Sequence, residues 1–225
     1  MYANGFPVIF TVGSPPGLLC LFPALNSELI IDASSGDVNI ALLEDKRLVE
    51  LNKEKKEHNF SVGDIYLGRI KKLMPSLNAA FVDIGFEKDA FLHYLDLGPQ
   101  VQSFLKFMKQ TQGGRQPDPL LNNFEIEAEI PKTGKVSQLL QPNMQIMVQI
   151  AKEAISSKGP RITSEISFAG RFVVLVPFSD TVSVSQKIKS SAERMRLKRL
   201  ATSIKPKNFG IIVRTVAEGK KGRRT

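Results

Sequence analysis

The chain is short of the residues that disulfide and metal chemistry draw on. It has one cysteine, Cys20, in 225 residues. No disulfide can form within it, and the composition fits a reducing, cytoplasmic setting. Its two histidines, His58 and His93, have no Cys or His neighbour and read as surface or turn residues rather than ligands. No stretch offers the clustered carboxylates that place Mg²⁺ against a phosphodiester, so the sequence proposes no catalytic and no metal-binding residue. Asp32 is a lone carboxylate and reads as structural. Residues 1–25 are apolar but contain no Lys or Arg, and Pro7, Pro15, Pro16 and Pro23 interrupt them. They lack the charged start of a signal peptide and are too broken for a membrane helix. No membrane is expected as a partner.

What the chain has in excess is positive charge. The net charge is +9 with a pI of about 9.7, which points to an anionic partner. The excess is local. Lys187 to Thr225 holds thirteen Lys and Arg against two Glu, which leaves the first 186 residues at −2. The bland reading of that basic end is a solvated helix face with a loose tail.

The most patterned stretch is Val62 to Leu97. Ile65, Leu67 and Ile70 alternate with polar or basic residues, Pro75-Ser76 breaks the run, and Ala79 to Ile84 follows as a second strand ended by Gly85. Phe91-Leu92 begins a third. Short, closely spaced strands rich in Val, Ile and Phe predict a small antiparallel barrel. Phe81 and Phe91 lie on successive strands, with Arg69, Lys71 and Lys72 on the strand before. Aromatic rings set among cations can stack bases and track phosphates of a single strand. By pattern alone, the reading that both rings are core and the lysines merely solvated is the heavier one.

Around this stretch the period predicts further elements. Three strands cover Glu28–Ala33, Val38–Leu43 and Arg47–Leu51. A short helix is expected over Val101–Met108, and a flexible loop from Gln112 to Pro119. Met144–Ile150 alternates and should close the barrel. Arg171–Pro177 and Asn208–Thr215 read as strands. Ser190 to Ser203 reads as a helix, capped by Ser190 or Ser191, with Ala192, Met195 and Leu200 as its apolar stripe.

The run GDIYLGRIKKLMPSLNAAFVDIGFEKDAFLHYLDL, together with KGPRITSEISFAGRFVVLVP and GIIVRTVAEG, resembles the ribonuclease E/G family of bacterial endoribonucleases over about residues 27–219. The first run is similar to the family's S1 domain, an OB-fold. The other two are similar to its 5′-sensor subdomain, which binds the 5′-monophosphate of an RNA. The resemblance implies a mixed α+β, mostly β chain in several parts. Residues 1–26 would be a disordered extension outside the family pattern, and 27–57 a partial RNase H-like segment. Residues 58–157 would be the RNA-binding barrel with an insertion at about 98–143, 158–219 a 5′-sensor subdomain with one helix, and 220–225 a basic tail.

By the same resemblance, Phe81, Phe91 and Lys158 form an RNA-binding patch, and Gly170, Val174, Arg214 and Thr215 bind the 5′-phosphate and its nucleotide. The implied partner is single-stranded, 5′-monophosphorylated RNA, in ribosomal RNA maturation and messenger decay. Family members form homo-oligomers and use Mg and Zn through residues that this chain does not contain, so no cofactor is expected and the chain reads as a fragment without cleavage of its own. Where the family often has Ser-Arg-[Arg/Lys]-Ile, this chain has Ser185-Gln186-Lys187-Ile188. Gln186 lacks the charge, and Lys187 supplies a point charge rather than a fork. Two other readings remain: a stand-alone S1-type RNA-binding module, and a structural, ribosome-associated protein that ignores the 5′ end.

Overall fold

In a computed structural model, residues 8–12, 27–33, 37–55, 60–115 and 121–220 are described. The chain divides into two compact units, residues 1–59 with 222–225, and residues 60–221.

The first unit holds an antiparallel meander in the order β1 (Val8–Val12), β2 (Ser27–Asp32), β3 (Asp37–Glu44), β4 (Arg47–Lys55). The β3–β4 connection is two residues, Asp45 and Lys46, both at positive φ, the twist that suits a tight hairpin. β4 is an edge strand with Leu48, Val49 and Leu51 exposed. Within the stretch expected to lack order, Val8–Val12 is a strand paired to β2. The rest of residues 1–26, and most of the tail at 220–225, lie outside the described residues.

The second unit begins with a closed barrel. Its strands are β5 (Ile65–Met74), β6 (Ala79–Asp83), β7 (Ala90–His93), β8 (Gln145–Lys152) and β9 (Arg161–Thr163), joined in the order β5-β6-β7-β9-β8. Alternation builds it. Ile70, Ala80, Val82, Ala90, Leu92, Ile146, Val148, Ile150 and Ile162 point inward and are almost fully buried, each large one worth about 1.5–3 kcal/mol on burial. The fifth strand, β9, lies beyond residue 157, inside the stretch expected as the 5′-sensor subdomain. It is held by hydrogen bonds as well as by its ladder: the Ser164 amide and the Thr163 hydroxyl both donate to the Asp96 carbonyl, at 2.9 and 2.6 Å.

Pro75–Leu77 forms a single 3₁₀ turn after β5, and Asn78 leaves it at φ 48. The Asn78 amide side chain donates to the Gly134 carbonyl at 3.0 Å and accepts from the Val136 N–H at 2.8 Å. That ties the insertion to the barrel. The insertion itself carries α1 (Val101–Gln112) and the short α2 (Val136–Leu139). It buries Phe104 and Phe124 in a cluster with Leu121, Ile166 and Phe178, the Phe104 and Phe178 rings meeting edge-on at 4.6 Å. The expected loop after Gln112 falls largely on residues 116–120, outside the described residues.

A four-stranded sheet completes the unit: β10 (Phe168–Ala169), β11 (Val173–Pro177), β13 (Phe209–Val213) and β12 (Val182–Val184), in that order, with β12 parallel to β13. One face packs on α3 (Ser191–Ile204) through Val184, Ile211, Val213, Leu197 and Ala201. The Ser190 hydroxyl accepts from the Glu193 N–H at 3.3 Å and caps the helix. The apolar stripe differs from the expected one: Leu197 and Ala201 are buried, Leu200 is half-buried, and Ala192 and Met195 are exposed. The rotation is set by the β12 and β13 side chains that the helix must cover, and the helix sequence alone does not contain that information.

The whole is mixed α+β and mostly β, around an OB-like barrel. Among the described residues no helix is long and apolar enough to cross a membrane.

Candidate nucleic-acid interface

The two phenylalanines are not core. Phe81 and Phe91 face each other across the β6–β7 ladder, and the inward positions on either side (Ala80, Val82, Ala90, Leu92) are fully buried. Period two therefore puts both rings on the outer wall, where they are half-buried. Their centroids are 5.9 Å apart and their planes 67° to each other, an edge-to-face pair. Half-buried rings on an outer wall leave surface on which a base can stack.

Lys158 is exposed, in a tight turn closed by reciprocal bonds between the Ile155 and Lys158 main chains, at 3.0 and 3.3 Å. The next two residues dock that turn. A Cβ on Gly159 would sit 2.2 Å from the Asp89 carbonyl oxygen, so only glycine allows the approach. The Phe91 N–H donates to the Pro160 carbonyl at 2.8 Å. The Lys-Gly-Pro sequence thus seats the Lys158 turn at the start of the strand that carries Phe91.

Charges around the rings are of two kinds. Lys71 is tied to Asp89 at 2.7 Å and Asp83 at 3.4 Å, and the bond to Asp89, more than any other contact, pushes its pKa up. Asp83 is held below the usual carboxylate range, first by the Gly85 N–H and then by Lys71. Lys72, next to it, makes no ion pair among the described residues.

The second group of residues meets at one end of the four-stranded sheet. Gly170 opens the β10–β11 hairpin, its N–H donating to the Val173 carbonyl at 2.9 Å. Val174 pairs with Ile212 across β11 and β13. Arg214 follows β13 directly: its N–H donates to the Phe172 carbonyl at 2.8 Å, and its Nη1 donates to the Gly170 carbonyl at 2.7 Å. Alternation puts Val174, Ile212 and Arg214 on the face away from α3. Thr215 begins the 3₁₀ turn Thr215–Ala217. Residues far apart in the chain, Gly170, Val174, Arg214 and Thr215, are brought together, with one edge of the Arg214 guanidinium spent on holding the hairpin.

α3 stabilises this end. The Glu193 carboxylate takes two bonds of 2.7 Å from Arg196 and one of 2.9 Å from the Gly219 N–H. These, Arg196 first and Gly219 next, lower its pKa to about 2. Gln186 lies exposed past the end of β12, next to Ser185, whose carbonyl accepts from Nη1 of Arg194 on α3 at 3.2 Å. Sequence pattern alone missed Arg161, which forms a bidentate pair with Asp96 at 2.8 Å per bond. Arg161 stands in a strand too short to register as a period, but an Arg two residues after Lys-Gly was a visible cue. His93 accepts from the Leu95 N–H at 3.1 Å and caps a turn. His58 lies outside the described residues.

Among the described residues no three His, Cys, Asp or Glu side chains come together as a metal set.

A small closed barrel with paired aromatics and cations on its outer wall, followed in the chain by a sheet end carrying an exposed arginine fork, defines the class of fold. Comparison with known proteins narrows the class. Residues 167–224 match the model of the Ribonuclease E/G family. The chain is 40% identical over 160 residues to ribonuclease E of Nostoc sp., covering 71% of this chain and 19% of that protein. It is 32% identical over 195 residues to ribonuclease G of Salmonella typhimurium, covering 87% and 36% respectively. With ribonuclease G of Haemophilus influenzae it shares 34% over 192 residues, 85% of this chain and 35% of that one. The chain belongs to the ribonuclease E/G family, and it spans between a fifth and about a third of the length of these relatives.

Proposed function

We propose that this chain is the RNA-binding and 5′-end-sensing part of a ribonuclease E/G-type endoribonuclease, acting on single-stranded RNA in ribosomal RNA maturation and messenger decay. In this reading it holds and selects RNA and does not cut it. Residues 27–57 correspond to part of an RNase H-like fold, the barrel to the S1 domain, and the sheet with α3 to the 5′ sensor.

The observation that carries the reading is the Arg214 fork anchored on the Gly170 carbonyl, with Val174 and Thr215 beside it. A terminal monophosphate is a dianion with several acceptor oxygens, and a fixed guanidinium matches it in both charge and geometry. Because Nη1 is spent on Gly170, the fork is oriented before the ligand arrives, which lowers the ordering cost of binding. The Thr215 hydroxyl supplies a further donor, and Val174 an apolar contact for the terminal nucleotide. A 5′-hydroxyl end offers this site nothing to grip. Phe81 and Phe91 then hold the single strand by stacking, and Lys158 meets its backbone.

The test is binding of the full chain to one short RNA prepared with a 5′-monophosphate and with a 5′-hydroxyl, at one salt concentration. A preference for the monophosphate that disappears in Arg214→Ala is the expected result. Charge-assisted hydrogen bonds are worth about 1.5–3 kcal/mol, so the preference should be roughly tenfold or more. Equal binding to both forms by the unmodified chain overturns the sensing part and leaves the S1-type binding module.

A further inference from the structure

We propose that the RNA strand crosses the barrel along a single row of side chains, Lys72, Phe81, Phe91, Arg161 and Lys152, one from each of the five strands, with backbone phosphates on the cations at either flank of the two rings. The proposal rests on the reading of the barrel as an RNA-binding surface and gives that surface its direction and its phosphate contacts.

The row is written in the strand register. Lys72 on β5 pairs with Phe81 on β6, and Phe81 with Phe91 on β7. Phe91 pairs with Arg161 on β9, and Arg161 with Lys152 on β8. All five belong to the outer wall, because the neighbouring inward residues Ile70, Val82, Ala90, Ile162 and Ile150 are buried. Four strand spacings make the row about 19 Å long, and because barrel strands tilt against the axis, it runs obliquely along the wall.

Two irregularities mark it. The register shifts between Ile70 and Lys72 on β5, and again between Ile150 and Lys152 on β8. Each skips one residue, Lys71 or Ala151, and a bulge of this kind re-aims the side chain that follows. On β5 the result sorts two adjacent lysines. Lys71 faces its carboxylate partners Asp83 and Asp89, and Lys72 stands opposite Phe81 with no ion pair among the described residues. Lys152 likewise makes none. Arg161 is paired through Nε and Nη2 with Asp96, which leaves its Nη1 to donate outward. Residues 60–163 hold twelve Lys and Arg against ten Asp and Glu, a net charge of only +2, so the attraction an anionic strand finds there depends on where the unpaired cations stand.

The test uses the full chain and a short 5′-hydroxyl oligouridylate, which gives the end-sensing site no phosphate to read. Affinity is followed against salt for the unmodified chain and for Phe81→Ala, Lys72→Ala, Lys152→Ala and Lys71→Ala. Each phosphate contact contributes about 0.7 to the slope of log K against log salt for a single strand. Lys72→Ala and Lys152→Ala are expected each to reduce the slope by about that much, and Lys71→Ala to leave it unchanged. If Phe81→Ala weakens binding while the Lys72 and Lys152 variants keep the original slope, the row is wrong and the platform stands. An equal loss of slope in Lys71→Ala also overturns it, since the charges would then act as a diffuse field. If Phe81→Ala changes nothing either, the barrel reading falls and takes the row with it.

Discussion

The barrel wall and the sheet end are built on opposite plans. On the barrel, neighbouring strands each contribute one side chain, and the site is as regular as the ladder beneath it. At the sheet end, Gly170, Val174, Arg214 and Thr215 come from a hairpin, a strand interior and the start of a 3₁₀ turn. A surface drawn across a ladder can lose one member and keep most of the rest, because each side chain is placed chiefly by its own strand. A pocket made where segments converge depends on the convergence: Arg214 is aimed by the Gly170 carbonyl, and the turn after it is clamped by Glu193 through Gly219. The first plan suits an interaction indifferent to sequence, and the second suits the recognition of one chemical group.

That contrast is sharpened by variants that strike one plan and spare the other. The largest effect is expected from Phe81→Ala, which should weaken binding of monophosphate and hydroxyl RNA alike by about 1–3 kcal/mol, the worth of one stacked base, with the melting profile preserved. Fluorescence anisotropy on the two RNAs checks it, and a loss confined to one RNA would blur the distinction. Gly159→Ala comes next. Its new Cβ would fall 2.2 Å from the Asp89 carbonyl, so the turn must move, at a cost to stability of roughly 1–3 kcal/mol, read by chemical denaturation. RNA binding should weaken with it, because Lys158 and the start of β7 shift together.

The smallest effect concerns the clamp and is a matter of pH. Glu193 is lowered from 4.5 to about 2 by Arg196 and Gly219. A depressed carboxylate stabilises the fold fully above its unfolded value, and that contribution is lost as pH falls through the folded one. Melting followed between pH 4.5 and about 2 should therefore decline in the unmodified chain, and less steeply in Glu193→Gln. Parallel curves would remove Glu193 from the account.

The two plans also explain what could be read from the sequence. Ile65 to Ile70, Ala79 to Ile84 and Met144 to Ile150 announce themselves by alternation, so most of the barrel was legible. Arg161–Thr163 was not, because three residues hold no measurable period and the strand is fixed by distant groups, the Asp96 and Leu97 carbonyls. Pattern also weighed Phe81 and Phe91 toward the core. A ring on the outer wall and a ring inside carry the same letter, and only the register of Ala80 and Val82 separates them. The end of α3 was legible through Ser190, but its apolar face was not, since Met195 and Leu197 are equivalent until β12 and β13 choose between them. The gathering of Gly170 with Arg214 came from resemblance. No local rule joins residues that meet only when β11 pairs with β13.

The most direct measurement is a double-mutant cycle. Phe81→Ala, Arg214→Ala and their combination are compared with the unmodified chain on the 5′-monophosphate and 5′-hydroxyl forms of one RNA. Two independent surfaces predict that Phe81→Ala leaves the ratio of the two affinities intact, that Arg214→Ala brings it to one, and that the double variant equals the sum of the two within about 0.5 kcal/mol. A ratio of one in the unmodified chain, or a ratio that collapses in Phe81→Ala, would contradict the account.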